Sequence, residues 1–265
     1  RVSLTALLTS APERTIAEVV DDSQPGIRAA TTLDQVAEEF ENHRYVSAPV
    51  VDADNRLVGR ITVDDVIDLV RDRAEHDLMS MAGLNEDEDM FAPIAAASKR
   101  RAVWLGINLL TAFLAAWVIG KFEATLEQIV ALAVLMPVVA SMGGVAGTQT
   151  LTLIVRGIAL GQVSWNNARD LLTREMAIGA LNGLLWAVVV ALVAWAWFGD
   201  WRIAAVIAAA IIINLLAAAF SGVLIPLLLK RFAVDPALAG GVVLTTVTDV
   251  VGFLAFLGLG TLFLL

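Results

Sequence analysis

The stretch PALAGGVVLTTVTDVVGFLAFLGLGTLFLL, residues 236–265, decides the fold. It exceeds the roughly 20 apolar residues that a helix needs to cross a bilayer, and its single charged side chain is Asp249. At about 1.5 Å rise per residue, that carboxylate lies roughly 20 Å into the span, near or just past the membrane centre. Holding it there costs at least about 2.5–3.5 kcal/mol unless it faces water, a partner or an ion. Thr245, Thr246 and Thr248 add hydroxyls on neighbouring faces. Such hydroxyls more often join helices than bind ions.

Four further apolar stretches precede it, at about 102–120, 128–155, 176–199 and 203–229. None of the four contains a Lys or Arg, so a salt bridge inside the membrane lacks a basic partner for Asp249. The alternative is an ion pathway. Orientation follows from the bases between spans, which concentrate on the cytoplasmic side of membrane proteins. With the N-terminal part inside, inner segments carry Lys99, Arg100, Arg101, Arg156, Arg169, Arg174, Lys230 and Arg231, and outer ones only Lys121 and Arg202. The reading is five spans, N-terminus in the cytoplasm and C-terminus outside. Trp104, Trp117, Trp165, Trp197 and Trp201 fall near the expected interfaces, where indoles settle.

The second span is unusual. Pro137, Gly143, Gly144 and Gly147 interrupt it, followed by Thr148, Gln149, Thr150 and Thr152. Pro and Gly in a spanning helix can release carbonyls where the backbone lines a cavity, and small residues also allow close helix packing. The polar run favours a pore wall, with Pro137, Gly143, Gly144, Gly147 and Gln149 as its candidate lining.

The rest of the chain is different in kind. Residues 1–90 hold 20 Asp/Glu against 8 Lys/Arg, whereas 91–265 hold 7 against 10. So acidic a surface excludes nucleic acid as a natural partner and suits divalent cations. Overall 58% of residues are apolar, against about 45–50% in soluble domains, and mean hydropathy is +0.76. There is no Cys, which excludes disulfides and thiolate chemistry. No signal peptide and no initiator Met open the chain, which reads as a piece of a longer protein.

Within 27–80 the pattern predicts β-α-β-β-α: strands at 27–30, 48–51 and 57–63, and helices opening at Thr32 and Thr62. Thr32 with Gln35 forms a capping box, and Thr62 with Asp65 a second cap. The run 85–89, Asn-Glu-Asp-Glu-Asp, reads as a solvated loop. Enzyme motifs are missing: His43 and His76 are the only histidines, and no HExxH, P-loop or G-x-S-x-G occurs. No enzymatic activity is expected.

The segments 137–149 (PVVASMGGVAGTQ) and 150–156 (TLTLIVR), with Asp235-Pro-Ala-Leu-Ala and 245–252 (TTVTDVVG), resemble the second- and fifth-span signatures of the MgtE family of magnesium channels. The resemblance covers the whole chain. It implies a mainly α fold: a five-helix transmembrane pore domain at 102–265, preceded by a small α/β CBS module at 21–73. Residues 1–20 resemble the tail of a first CBS domain, 64–83 a plug or connecting helix, and 84–101 an acidic linker and pre-membrane segment. It further implies a homodimer in the plasma (inner) membrane, with the second and fifth helices lining a pore on the two-fold axis. Asp249 would face its symmetry mate and bind largely hydrated Mg²⁺. Cytosolic Mg²⁺ held by positions matching the family's regulatory acids, Asp34, Asp65, Asp68, Asp77 and Asp235, would favour the closed state.

Several positions depart from the family pattern. Val145 stands where many members carry Asn, and Arg44, Arg71, Arg73 and His76 where acids are usual. The family's N-terminal helical domain and most of its first CBS domain have no counterpart in these residues. CBS pairs often bind adenine nucleotides. Gly59-x-x-Thr62-x-x-Asp65 resembles their ribose-phosphate motif, with Tyr45 as the base-stacking candidate for ATP. Helix capping explains Thr62 and Asp65 equally well. Two other functions compete with a gated Mg²⁺ channel: a divalent-cation carrier coupled to Na⁺ or H⁺, and a membrane-anchored nucleotide or Mg²⁺ sensor. An anchor alone requires neither a midspan carboxylate nor a Pro/Gly-rich span.

Overall fold

The computed structural model describes residues 2, 4–20, 26–84, 91 and 93–265, with the side chains of Leu4, Thr5, Asp34, Arg73 and Asp77 outside that description. The acidic stretch 85–89 also lies outside the described residues. The chain divides into two compact units, Arg1–His76 and Asp77–Leu265.

The first unit opens with two short helices, α1 (Leu4–Thr9) and α2 (Ile16–Val19). β1 (Ile27–Arg28), α3 (Leu33–His43), β2 (Ser47–Val51), β3 (Leu57–Thr62) and α4 (Val63–Met81) follow, in the expected β-α-β-β-α order, with α4 counted in this unit as far as His76. β1 is shorter than the sequence suggested, because the chain turns at once into the start of α3: Thr31 N–H donates to the Arg28 carbonyl. β2 lies in the middle of the sheet, parallel to β1 with Ile27 opposite Val50, and antiparallel to β3 with Ala48 opposite Ile61. The turn between β2 and β3 is closed by Asp52, whose Oδ1 accepts from the amides of Asp54 and Arg56. Asn55 takes the left-handed position there, as Asn tolerates. Ile27, Val36, Phe40, Tyr45, Ala48 and Val66 form the core of this unit.

The helix α4 ends in a Schellman arrangement: Leu84 N–H reaches the Met79 carbonyl at 2.9 Å, with Gly83 at φ +71°. Gly83 also lies against the indole of Trp104, where a methyl group has no room.

The second unit holds five long apolar helices, α5 (Ile94–Gly120), α7 (Val130–Ala159), α8 (Ala168–Phe198), α9 (Trp201–Arg231) and α10 (Pro236–Leu264), and the short α6 (Glu123–Gln128). Each of the five is long and apolar enough to cross a membrane. The helix α9 forms the centre: Ile207, Ala210, Ile211, Asn214 and Ala218 along it are fully buried. α7, α8 and α10 pack around it. Small residues set the close approaches. A methyl at Gly179 of α8 would stand 2.9 Å from the Ala219 Cβ, and one at Gly260 of α10 would stand 2.7 Å from Leu132 of α7. α5 and α8 instead present Leu105, Leu110, Leu181, Leu184 and Val188 outward, the apolar surface that lipid covers.

Two helix starts fall earlier than hydropathy placed them. α5 begins at Ile94 and carries Lys99, Arg100 and Arg101 on its first turns. α8 begins at Ala168 and takes in Arg169, Asp170, Arg174 and Glu175. Charged first turns are helical without being apolar, and a hydropathy edge passes over them. The expected interruption of the second span is not seen, because α7 runs unbroken through Pro137 and its glycines. Helix backbone can stay satisfied around such residues when neighbouring helices pack against it.

Candidate ion pathway

The helix α10 opens on a proline that its fixed φ suits to a first turn, capped by Asp235, whose Oδ1 accepts from the Ala237 amide at 2.9 Å. Asp249 follows 14 residues later. At 100° per residue the two carboxylates share one face of the helix, separated by roughly 21 Å along its axis. Asp249, Thr245 and Thr246 are half-buried in the single chain. The threonine hydroxyls turn back on their own helix: Thr245 Oγ1 donates to the Gly241 carbonyl at 3.0 Å, and Thr246 Oγ1 to that of Val242 at 2.7 Å. Their donors are thereby spent, and their remaining lone pairs can only accept. That suits contact with a cation's water shell.

Thr248 is corrected from a lining residue to a core residue. It is fully buried among its own protomer's helices, with its hydroxyl donating to the Thr245 carbonyl. Its position, one residue before Asp249, turns it about 100° away.

α7 packs antiparallel against α10, and its glycines divide by face. Gly143 abuts the Asn214 carboxamide, and a methyl at Gly147 would stand 3.0 Å from Leu244 of α10. These two are therefore packing contacts and not lining residues, a second correction to the sequence expectation. Gly144, by contrast, has open space where a Cβ would stand. Pro137, Ser141, Val145, Thr148, Gln149 and Thr152 form an exposed stripe along the same side. Thr148 Oγ1 donates to the Gly144 carbonyl at 2.8 Å. α7 thus carries an exposed stripe with Pro137, Gly144 and Gln149, and α10, which packs against α7, carries the half-buried Thr245, Thr246 and Asp249.

The candidate regulatory acids are placed less fully. Asp65 and Asp68 lie on successive turns of α4, both exposed. Asp65 Oδ2 accepts from Thr62 Oγ1 at 2.7 Å and from the Thr62 amide at 2.8 Å. The hydroxyl contact, then the amide, and last the charge of Arg60 hold the Asp65 carboxyl below its ordinary range, against a small opposing effect of burial. The side chains of Asp34 and Asp77 lie outside the described part. Among the described residues, no three His, Asp or Glu side chains of one protomer gather as a metal site. Tyr45, the stacking candidate, belongs to the core of the small unit, edge-on to Phe40 and stacked on His43.

Sequence reading missed two side chains here. Asn214 is the lone amide in the fourth span, a visible signal that attracted no role. Glu175 was hidden by the misplaced start of α8.

Residues 136–259 match the model of the MgtE family, described as a divalent cation transporter, a match that takes in most of α7 and α10. These residues form an MgtE transporter domain. Residues 16–72 match the CBS domain. Magnesium transporter MgtE of Bacillus subtilis is 31% identical over 258 residues, covering 97% of this chain and 57% of the relative. That of Thermus thermophilus is 30% identical over 265 residues (99% and 59%), and that of Enterococcus faecalis 28% over 263 (99% and 58%). The chain thus spans somewhat under three-fifths of the length of these relatives. With its five apolar helices and its MgtE domain, the protein is an integral membrane protein.

Proposed function

We propose that this protein conducts Mg²⁺ across the membrane, through a pathway formed where α7 and α10 of two copies meet on a two-fold axis. The observation that carries this reading is Asp249: a half-buried carboxylate deep in α10, a helix that packs against α7 with its exposed small and polar stripe. Mg²⁺ dehydrates reluctantly and is commonly held through water by one or two carboxylates. Two copies of Asp249 facing one another supply that charge, and hydroxyls committed to donating inward leave acceptors for the water shell. The relatives' printed names, magnesium transporters, favour the same ion. The bias of basic residues supports a cytoplasmic N-terminus and an outer C-terminus, and residence in the plasma (inner) membrane goes with the family reading.

Gating belongs to the same reading. Cytosolic Mg²⁺ bound by Asp34, Asp65, Asp68, Asp77 and Asp235 favours closure, with α4 and the turn after it, 64–83, as the plug helix. The arrangement of 1–20 as the tail of a preceding CBS copy, 21–73 as a CBS domain and 84–101 as a linker goes with it. ATP binding has weaker support, since Tyr45 is buried and Asp65 is already engaged by Thr62.

A carrier coupled to Na⁺ or H⁺ is the second reading, because one deep carboxylate serves either scheme. Flux into vesicles loaded with a Mg²⁺-sensitive dye tests both. Asp249→Ala should abolish Mg²⁺ entry while the folded dimer persists, and Asp249→Asn, of equal size but uncharged, should fail nearly as completely. Asn supporting entry as well as Asp does would overturn the ion-site assignment. Entry that requires an imposed Na⁺ or H⁺ gradient would favour the carrier.

A further inference from the structure

Two polar side chains outside the pathway grip α7 from behind. From α9, Asn214 Nδ2 donates to the Val139 carbonyl at 2.8 Å. From α8, Glu175 Oε2 accepts from Thr150 Oγ1 at 3.0 Å. Between these anchors α7 carries Gly143, Gly144 and Gly147, the segment least stiffened by side chains.

Glu175 is the stranger of the two. Among the described residues it is the one charged side chain that is buried, and none of the ion pairs involves it. Burying a carboxylate without a basic partner carries a desolvation cost that its hydrogen bonds must offset. Simple helix attachment does not account for it. α8 is already fastened to α9 along its length, through close contacts at Gly179 and Gly183 and the buried Ala187 and Ala194. What the carboxylate adds is a hold on α7, which α8 otherwise barely touches. The space for that hold is provided by Gly222 of α9, where a methyl would stand 2.8 Å from the Thr150 Cβ.

The consequence is rotational. At 100° per residue, the buried Thr150 points away from the exposed Thr148, Gln149 and Thr152. Fixing Thr150 on one side fixes the direction in which these three face on the other. We propose that Glu175 is a positioning residue of the ion pathway, setting through Thr150 how the end of α7 beyond its glycines presents Thr148, Gln149 and Thr152. The proposal rests on the pathway reading above and adds a residue that acts through another, without touching the ion.

The chain contains no Cys, so single thiols introduced as Thr148→Cys or Thr152→Cys report the orientation of α7 through their rate of modification by a water-soluble maleimide. Thr150→Val keeps the shape of Thr150 and removes its donor; Glu175→Leu removes the acceptor. Each should change both modification rates several-fold. Each should also lower maximal Mg²⁺ flux severalfold, with a smaller change in the half-saturating concentration. The combined variant should be no worse than either alone. Thr150→Ser and Glu175→Gln, which keep donor and acceptor, should stay near the parent. If Glu175→Leu fails to fold, Thr150→Val carries the same comparison. Unchanged labelling in Thr150→Val would overturn the proposal. So would Glu175→Gln failing as badly as Glu175→Leu, since the charge itself would then be at work. Labelling is read without Mg²⁺ and stands apart from the outcome at Asp249.

Discussion

Asn214 of α9 sits between two glycines of the neighbouring helices, pressed directly on Gly143 of α7 and within reach of Gly252 of α10. A methyl at position 252 would stand 2.7 Å from the Asn214 Nδ2, and one at 143 would overlap it outright. The amide is fully buried, and its Oδ1 has no hydrogen-bond partner. Overfilling a packed core typically costs about 1–3 kcal/mol. Gly143→Ala should therefore destabilise the helical unit by about that much, since Asn214 is held by its bond to Val139 and cannot retreat. Gly144→Ala, facing open space, should be neutral or slightly stabilising through the better helix propensity of Ala, about 1 kcal/mol at most. Denaturant unfolding of the detergent-solubilised protein compares the two. Equal costs would show that the close contact at 143 is not what the glycine serves.

The direction of the chain through the membrane is tested on the same Cys-free background. Thiols replacing Glu123 and Asp200 should react with an impermeant reagent from outside intact cells, and thiols replacing Asn167 and Phe232 only after lysis. The basis is the eight-to-two distribution of bases described above. Labelling of position 167 in intact cells would invert the arrangement.

The five spans were legible because their apolar runs are long and separated by charge, and the small unit because its caps and turn residues mark each element. Asp249 stood out for the same reason, one charge in thirty residues. Facing was not legible. Thr245, Thr246 and Thr248 look equivalent in a string, and only burial in the folded bundle separates Thr248 from the other two. Gly143, Gly144 and Gly147 differ likewise only in what lies opposite each. Glu175 escaped because its partner, Thr150, is 25 residues away on a helix that α8 otherwise hardly meets.

Asp65 makes the start of α4 sensitive to acid. Its carboxyl is held below its ordinary value of 3.8, first by the Thr62 hydroxyl and then by the Thr62 amide. A group depressed in the folded state contributes stability above its unfolded pKa, and loses it as pH falls through the folded value. The first turn of α4 should therefore open more readily below about pH 4 than at neutral pH. Hydrogen exchange of its amides, corrected for intrinsic rates, measures this. Asp65→Asn should flatten the contribution of this group, and an undiminished acid slope in that variant would assign the sensitivity to other carboxylates.

The gating proposal makes its sharpest prediction at Asp77 and Asp235. Residues 1–90 hold 20 acids against 8 bases, and two copies in a dimer bring together two such charges. Repulsion between exposed carboxylates reaches about 8 Å at physiological salt, and bound Mg²⁺ cancels it. By linkage, Mg²⁺ can favour closure only as far as it binds the closed state more tightly than the open one. The resemblance implies acids at the positions of Arg44, Arg71, Arg73 and His76, and on that reading closure in this chain should require more Mg²⁺ than in a relative that has them. Asp235 also caps α10 by accepting from Ala237, so truncation to Ala would confuse loss of charge with loss of a helix start. The Asn replacement keeps an acceptor at the cap and removes only the charge. Asp77→Asn combined with Asp235→Asn should then raise flux severalfold at high internal Mg²⁺ and leave it nearly unchanged at low internal Mg²⁺. An equal change at both concentrations would mean that these residues shape conduction or folding, with sensing done elsewhere.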